Sequence, residues 1–270
     1  MRKIKYYSYI GLTFFKLNVQ STLEYPAFLL GWLLSNPLQF LFGFISIRVI
    51  VSSFQPLGGW GFEQLAFLYG LGIISHGISI VLFIQTWYMG YLVTEGGFDR
   101  MILRPLNVFF QFCFMDFNFI GFTDMLPGIV IFVYACIAAS FQFTLASTIS
   151  VLLTLIGATL IRGGIYTLSG SLSFWSKRSG GLIDINLGLF DISTKYPLNI
   201  YPKMIQMLFT FVFPIGFITF YSADRMLDMN TGFTLPMNMG LLTLFVGVAV
   251  YSLSMLLFRI GLRRYESAGS

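Results

Sequence analysis

Six long, nearly uncharged apolar runs constrain this chain more than any other feature. They cover residues 27–51, 64–91, 117–139, 146–174, 204–221 and 237–260. An α-helix needs about 20 largely apolar residues to cross a bilayer, and each run supplies roughly that length. A transmembrane β-barrel would instead show alternating segments of about 10 residues. Of the 270 residues, 56% are hydrophobic and 10% charged, where a soluble domain carries about 25% charged residues. One water-facing globule cannot hide that much apolar surface. An ordinary soluble enzyme, a disordered tail and a nucleic-acid binder are therefore excluded. The expected fold is an all-α membrane protein with six transmembrane helices.

Lys and Arg collect in cytoplasmic loops, so their distribution orients the spans. With the N-terminus inside, the cytoplasmic segments hold Arg2, Lys3, Lys5, Lys16, Arg100, Arg104, Lys177, Arg178, Lys195, Lys203, Arg259, Arg263 and Arg264, thirteen of the sixteen. Arg48 and Arg225 fall outside, and Arg162 stays within the membrane. Both termini are expected in the cytoplasm. The net charge of +5 then reads as attraction to anionic lipid.

Ahead of the first run, Tyr7, Ile10, Phe14 and Leu17 recur at helical spacing, with Lys3, Lys5 and Lys16 among them. This predicts an interfacial helix over residues 1–24, the alternative being an extension of the first span. No cleavable leader is expected from the basic start, which runs into an aromatic, partly polar stretch. The longest polar interval, 176–203, is too short for a folded catalytic domain, so residues 1–270 are expected to form one transmembrane domain. Cys113 and Cys136 stand too far apart on one helix to pair within it.

Little in the chain suggests catalysis. A phosphate-binding loop needs Gly before its Lys, whereas the six lysines follow Arg2, Ile4, Phe15, Ser176, Thr194 and Pro202. No Gly-x-Ser-x-Gly elbow is present, and no His, Cys, Asp and Glu stand at metal-ligand spacing. A membrane-embedded lipid-modifying enzyme would want clustered carboxylates holding a metal, but Asp184 and Asp191 lie two helical turns apart. A gradient-driven transporter would show repeated halves and more intramembrane charge. The ionisable groups in the spans are His76, Asp124 and Arg162. His76 reads first as a neutral group bonding a neighbouring helix, then as a proton relay. Asp124 and Arg162 read first as a structural pair, then with Arg162 lining a wet cavity for an anion. Gly70 and Gly77, like Gly163 and Gly170, lie seven apart and suit close helix packing.

The most informative segment is the loop after the second run, Tyr91-Leu92-Val93-Thr94-Glu95-Gly96-Gly97-Phe98-Asp99-Arg100-Met101-Ile102-Leu103-Arg104-Pro105. Gly96-Gly97 breaks the span and Pro105 ends a short helix. Phe98, Met101 and Ile102 form its apolar face, opposite Asp99, Arg100 and Arg104. Such a helix suits docking into a partner's groove as well as it suits resting on the inner leaflet.

The run Gly96–Leu106 resembles the loop after the second span of bacterial ABC exporter permeases of type two, in a subgroup first catalogued as a membrane domain of unknown function. A second block, Phe190-Asp191-Ile192-Ser193-Thr194-Lys195-Tyr196-Pro197-Leu198-Asn199-Ile200-Tyr201-Pro202 followed by Phe213-Pro214, is similar to the same subgroup's approach to its fifth span. Ser222-Ala223 stands where that subgroup tends to place Pro-Ala. The resemblance implies a permease subunit in a bacterial cytoplasmic membrane, paired with a second permease, identical or related. Two copies of a separate ATPase would carry ATP and Mg, this chain binding no cofactor itself. It also implies a short cytoplasmic coupling helix, with Phe98 and Leu103 as docking anchors and Asp99, Arg100 and Arg104 as polar contacts. The substrate would be amphipathic or lipophilic and would move outward.

Overall fold

The computed structural model describes residues 2–53, 56–115, 118–177, 179–232 and 237–266, without the side chains of residues 2–4 and 120. Phe117, expected to open the third span, and the basic residue Arg178 lie outside these, as do the side chains of Arg2 and Lys3. The described residues are helical with no β-strand. Helix α1 (Arg2–Glu24) precedes α2 (Pro26–Ser53), separated by Tyr25 and the ring of Pro26, which suits a first helical turn. Helix α3 (Phe62–Phe83) continues through a 3₁₀ turn at Ile84–Tyr88 into α4 (Met89–Thr94). Two short helices follow, α5 (Gly97–Ile102) and α6 (Val108–Phe114). Then come α7 (Ile120–Ala138), α8 (Leu145–Ser171) and α9 (Ser173–Ser176). Among the described residues, five helical segments are long and apolar enough to cross a membrane: Pro26–Ser53, Phe62–Thr94, Gly121–Ala138, Leu145–Ser176 and Met239–Arg263.

The second segment is the centre of the molecule. Of its most apolar stretch 78% is buried, against 11% for α2, which turns most of its surface outward. Small residues let neighbours approach it closely. A Cβ on Gly77 would come within 2.6 Å of the Gly121 carbonyl, and one on Gly121 within 2.4 Å of the Gly77 carbonyl, so α3 and α7 meet backbone to backbone.

The 180–226 region departs from the expected fifth span at 204–221. Helix α10 (Gly180–Lys195) runs antiparallel to α3–α4: Ser179 lies against Gly90, and Thr194 against Gly72. Past its end, Asn199 donates to the Gly58 carbonyl at 2.7 Å, in the loop between α2 and α3. Thus α10 carries the chain from one end of the bundle to the other. The next segment enters and returns. Helix α11 (Lys203–Met207) runs through a π turn at Leu208–Val212 and stops at Phe213. Pro214 opens a 3₁₀ turn that leads toward α12 (Phe220–Met226), and the two arms are bent by 77°. Proline supplies no N–H and disfavours helical backbone before it, and Phe213 is extended (φ −114°, ψ 91°). Each arm, at about 1.5 Å per residue, is too short to span about 30 Å of hydrocarbon. Thr210 and Tyr221 bond across the arms at 2.6 Å. Beyond α12, the Trp60 indole N–H donates to Thr231 at 3.0 Å, which brings the chain back to the loop it left at Asn199. Lys195 and Lys203 therefore belong to the end that holds Arg48 and Arg225, not to the end of the termini.

The last helix, α13 (Met239–Arg263), packs along α8. A Cβ on Gly247 would come within 2.5 Å of the Gly157 carbonyl, so these two helices also meet backbone to backbone. Helix α1 forms as expected, with one change of face. Asn18 rather than Leu17 turns inward, donating to the Phe114 carbonyl at 3.4 Å, while Leu17 is exposed.

Candidate functional site

Two features merit description: the loop helix α5 and a cavity between the spans. Gly96 opens α5 in the left-handed region (φ 68°), where glycine is free of the Cβ penalty. The helix is fastened by its apolar side. Phe98 is fully buried, its ring centroid 5.7 Å from Phe112, 5.2 Å from Phe174 and 5.7 Å from Tyr265. Met101 is buried with it. Phe98 therefore does not offer itself to a partner as the amphipathic pattern suggested; it anchors α5 to the body of its own chain. Ile102, expected on the same face, is 47% exposed and Leu103 85% exposed. Arg100 and Arg104 are exposed beside them, while Asp99 is half-buried. The outward surface of the loop is thus Arg100, Ile102, Leu103 and Arg104.

Sequence reasoning missed two supports of this loop. Gln111 on α6, almost wholly buried, donates to the carbonyls of Met101 at 2.9 Å and Leu106 at 3.1 Å, satisfying acceptors that the short helix leaves open. Tyr265, past the end of α13, packs on Phe98 and turns its hydroxyl, shut from solvent, toward Asp99. Burial, reinforced by the Asp99 carboxylate, pushes its phenol up to about 12. Tyr7 of α1 accepts from the Asn107 N–H at 3.0 Å and stacks edge-on against Phe110, tying the first helix to the same region.

The cavity has a volume of about 730 Å³ and gathers all three ionisable groups singled out in the spans, His76, Asp124 and Arg162. The expected pairing of Asp124 with Arg162 is not made. Asp124 accepts a hydrogen bond from Asn36 on α2, and His76 Nε2 stands 3.8 Å from its other oxygen. Asn36 follows no periodic pattern, which is why it was overlooked; its position just before Pro37 in an apolar run was the available signal. Arg162 is 1% exposed, reaches the Gly72 carbonyl at a weak 3.5 Å and lies 4.8 Å over the Phe190 ring. Asp191, also on the wall, pairs with Lys195 at 2.8 Å, whereas Asp184 is exposed elsewhere on α10 and does not line the cavity. The rest of the lining combines aromatic rings, including Trp32, Phe40, Tyr69 and Trp87, with aliphatic residues and uncharged polar ones such as Gln39 and Asn118.

A bundle of long apolar helices around a partly polar cavity, with a basic-tipped loop at one end, defines an all-α multi-pass membrane protein. The chain belongs to the ABC-2 family transporter proteins, whose family model matches residues 38–269. No curated protein and no solved structure matches it. The protein is accordingly a multi-pass membrane permease of an ABC transporter, a family whose members work with ABC ATPase subunits.

Proposed function

We propose that this chain is the permease subunit of an ATP-driven exporter in a bacterial cytoplasmic membrane, with both termini in the cytoplasm. Two permease chains, identical or related, form the path, and two copies of a separate ATPase bind beneath them. ATP and Mg reside on those ATPases. Closure of the ATPases pushes on α5, and α10, α3 and the cavity between them respond. The cargo is amphipathic or lipophilic and leaves the cytoplasm.

The observation that carries this reading is the division of labour on α5. Phe98 fixes the helix to the bundle, so a force on the tip is passed on rather than absorbed, while Leu103 and the two arginines remain free to meet a partner. Apolar anchors seated in a groove carry most of a docking energy, and flanking charges set orientation. Leu103→Ala and Arg104→Glu should each lower co-purification of the ATPase and ATP-dependent transport in vesicles by about tenfold or more, at unchanged permease level. Wild-type coupling in both variants would place the contact elsewhere. The interval 176–203 is a poor substitute, because most of it crosses the bundle as α10.

A further inference from the structure

We propose that the cavity bounded by α2, α3 and α10 is a binding site for an amphipathic anion, whose carboxylate or phosphate head pairs with Arg162. Arg162 lines this space while 1% exposed and neighbours Tyr166, and its Nε has no hydrogen-bond partner. Among the described residues no carboxylate lies within 4.0 Å of it. An arginine cannot shed its charge when buried, and a charge removed from water without a counter-charge is costly. Asp191 acts on Arg162 from beyond that distance but is itself held by Lys195, so a direct counter-charge is left to something that enters the cavity.

The other ionic groups on the wall are already served. Asp124 is held by Asn36 and faces His76, and Asp191 is paired with Lys195. A cationic ligand would have to break one of these arrangements, whereas an anion completes Arg162. The rings of Trp32, Phe40, Trp87 and Phe190, with Leu29, Ile73 and Ile80, make the larger part of the remaining wall apolar, beside polar groups such as Gln39 and Asn118; this suits a hydrocarbon or aromatic body behind the head. A volume of about 730 Å³ is within the range of about 300–1,000 Å³ usual for small-molecule sites. That this ligand is the cargo rests on the permease reading; that it binds does not.

The test uses the full chain in nanodiscs of zwitterionic lipid, with empty discs as background. Quenching of tryptophan emission, to which Trp32 and Trp87 contribute from the cavity wall, reports occupancy. Ligands share one twelve-carbon tail: dodecanoate, dodecyl phosphate, dodecanol and dodecyltrimethylammonium, with inorganic phosphate as a tailless control. Both anions should bind at least tenfold tighter than the alcohol, and inorganic phosphate should not compete. Arg162→Gln should erase that tenfold preference, and Arg162→Lys should retain most of it. Should Arg162→Gln fail to fold, Gly188→Trp decides: Gly188 lines the cavity, and a Cβ there meets open space. Its indole should weaken anion binding at least tenfold in a folded chain. The proposal falls if the alcohol binds as well as the anions, if the cation binds tightest, or if inorganic phosphate binds as well as dodecyl phosphate. It falls equally if the preference survives Arg162→Gln or Gly188→Trp leaves anion binding unchanged. None of these measurements involves an ATPase, so their failure is separable from failure of the exporter reading.

Discussion

Phe98 and Leu103 are both large, apolar and within five residues of each other, yet they do opposite things. The fully buried Phe98 ring is surrounded by aromatic neighbours, so Phe98→Ala should cost about 3–5 kcal/mol through lost contacts and a cavity. Leu103→Ala, at an exposed position, should stay within about 0.5 kcal/mol. Gln111→Leu strips two carbonyls of their donor and should cost about 1–3 kcal/mol. Thermal unfolding of the purified chain in detergent checks all three, and equal losses for Phe98→Ala and Leu103→Ala would contradict the placement of α5. Tyr265 adds a pH dependence. Its phenol is raised in the fold from about 10 to about 12, so the native state favours the protonated form. Its contribution is complete below pH 10 and is lost as pH rises from about 10 to 12. Melting curves of the wild type and Tyr265→Phe, compared across that window, should show the steeper alkaline decline in the wild type.

At the scale of elements, the decisive finding is that α10 runs the length of the bundle and the 203–226 segment turns back. The contacts Asn199–Gly58 and Trp60–Thr231 put both ends of that hairpin beside one loop. A cysteine at position 199 should therefore react with an impermeant reagent from the same face as one at position 230, and from the face opposite one at position 264. The background for this labelling replaces Cys113 and Cys136. Matching reactivity at 199 and 264 would restore the single straight span. Some polar residues of α10 meet protein, Asn186 donating to Ser169 at 2.7 Å and Thr194 lying buried against Gly72, while Asp184 and Asp191 stay on its exposed side. A helix partly packed against protein does not need the unbroken apolarity of one bathed in lipid.

For the molecule as a whole, the cavity and α5 are linked through α3 and α4, since the same continuous span carries Gly72 and His76 on the cavity wall and ends in the loop of α5. One helical segment thus carries part of the cavity wall and leads into the loop of α5. On the exporter reading, nucleotide hydrolysis belongs to the separate ATPase. The rigorously purified chain should show no ATP turnover above background, and turnover should appear on adding its ATPase. Activity of the chain alone would overturn the division of roles between the two subunits.

Much of this architecture follows from local rules that act along the chain. A long apolar run has to satisfy its backbone internally, so residues 27–51 or 237–260 have no option but helix. Gly96-Gly97 and Pro105 punctuate the loop through backbone sterics alone, and the periodic aromatics of α1 select a helix without reference to any neighbour. Tertiary structure decided the rest. Counting apolar residues measures contact with lipid, and α10 escapes the count because it carries Asp184, Asn186 and Asp191, of which Asn186 is paired inside the protein. The 204–221 run passes the same count yet turns back at Phe213-Pro214, because the loop holding Gly58 and Trp60 receives both its ends. Whether Phe98 or Leu103 faces inward depends on where α6, α9 and α13 stand. Arg162, likewise, is an ordinary intramembrane arginine until the fold withholds a carboxylate from it and opens a cavity in front of it.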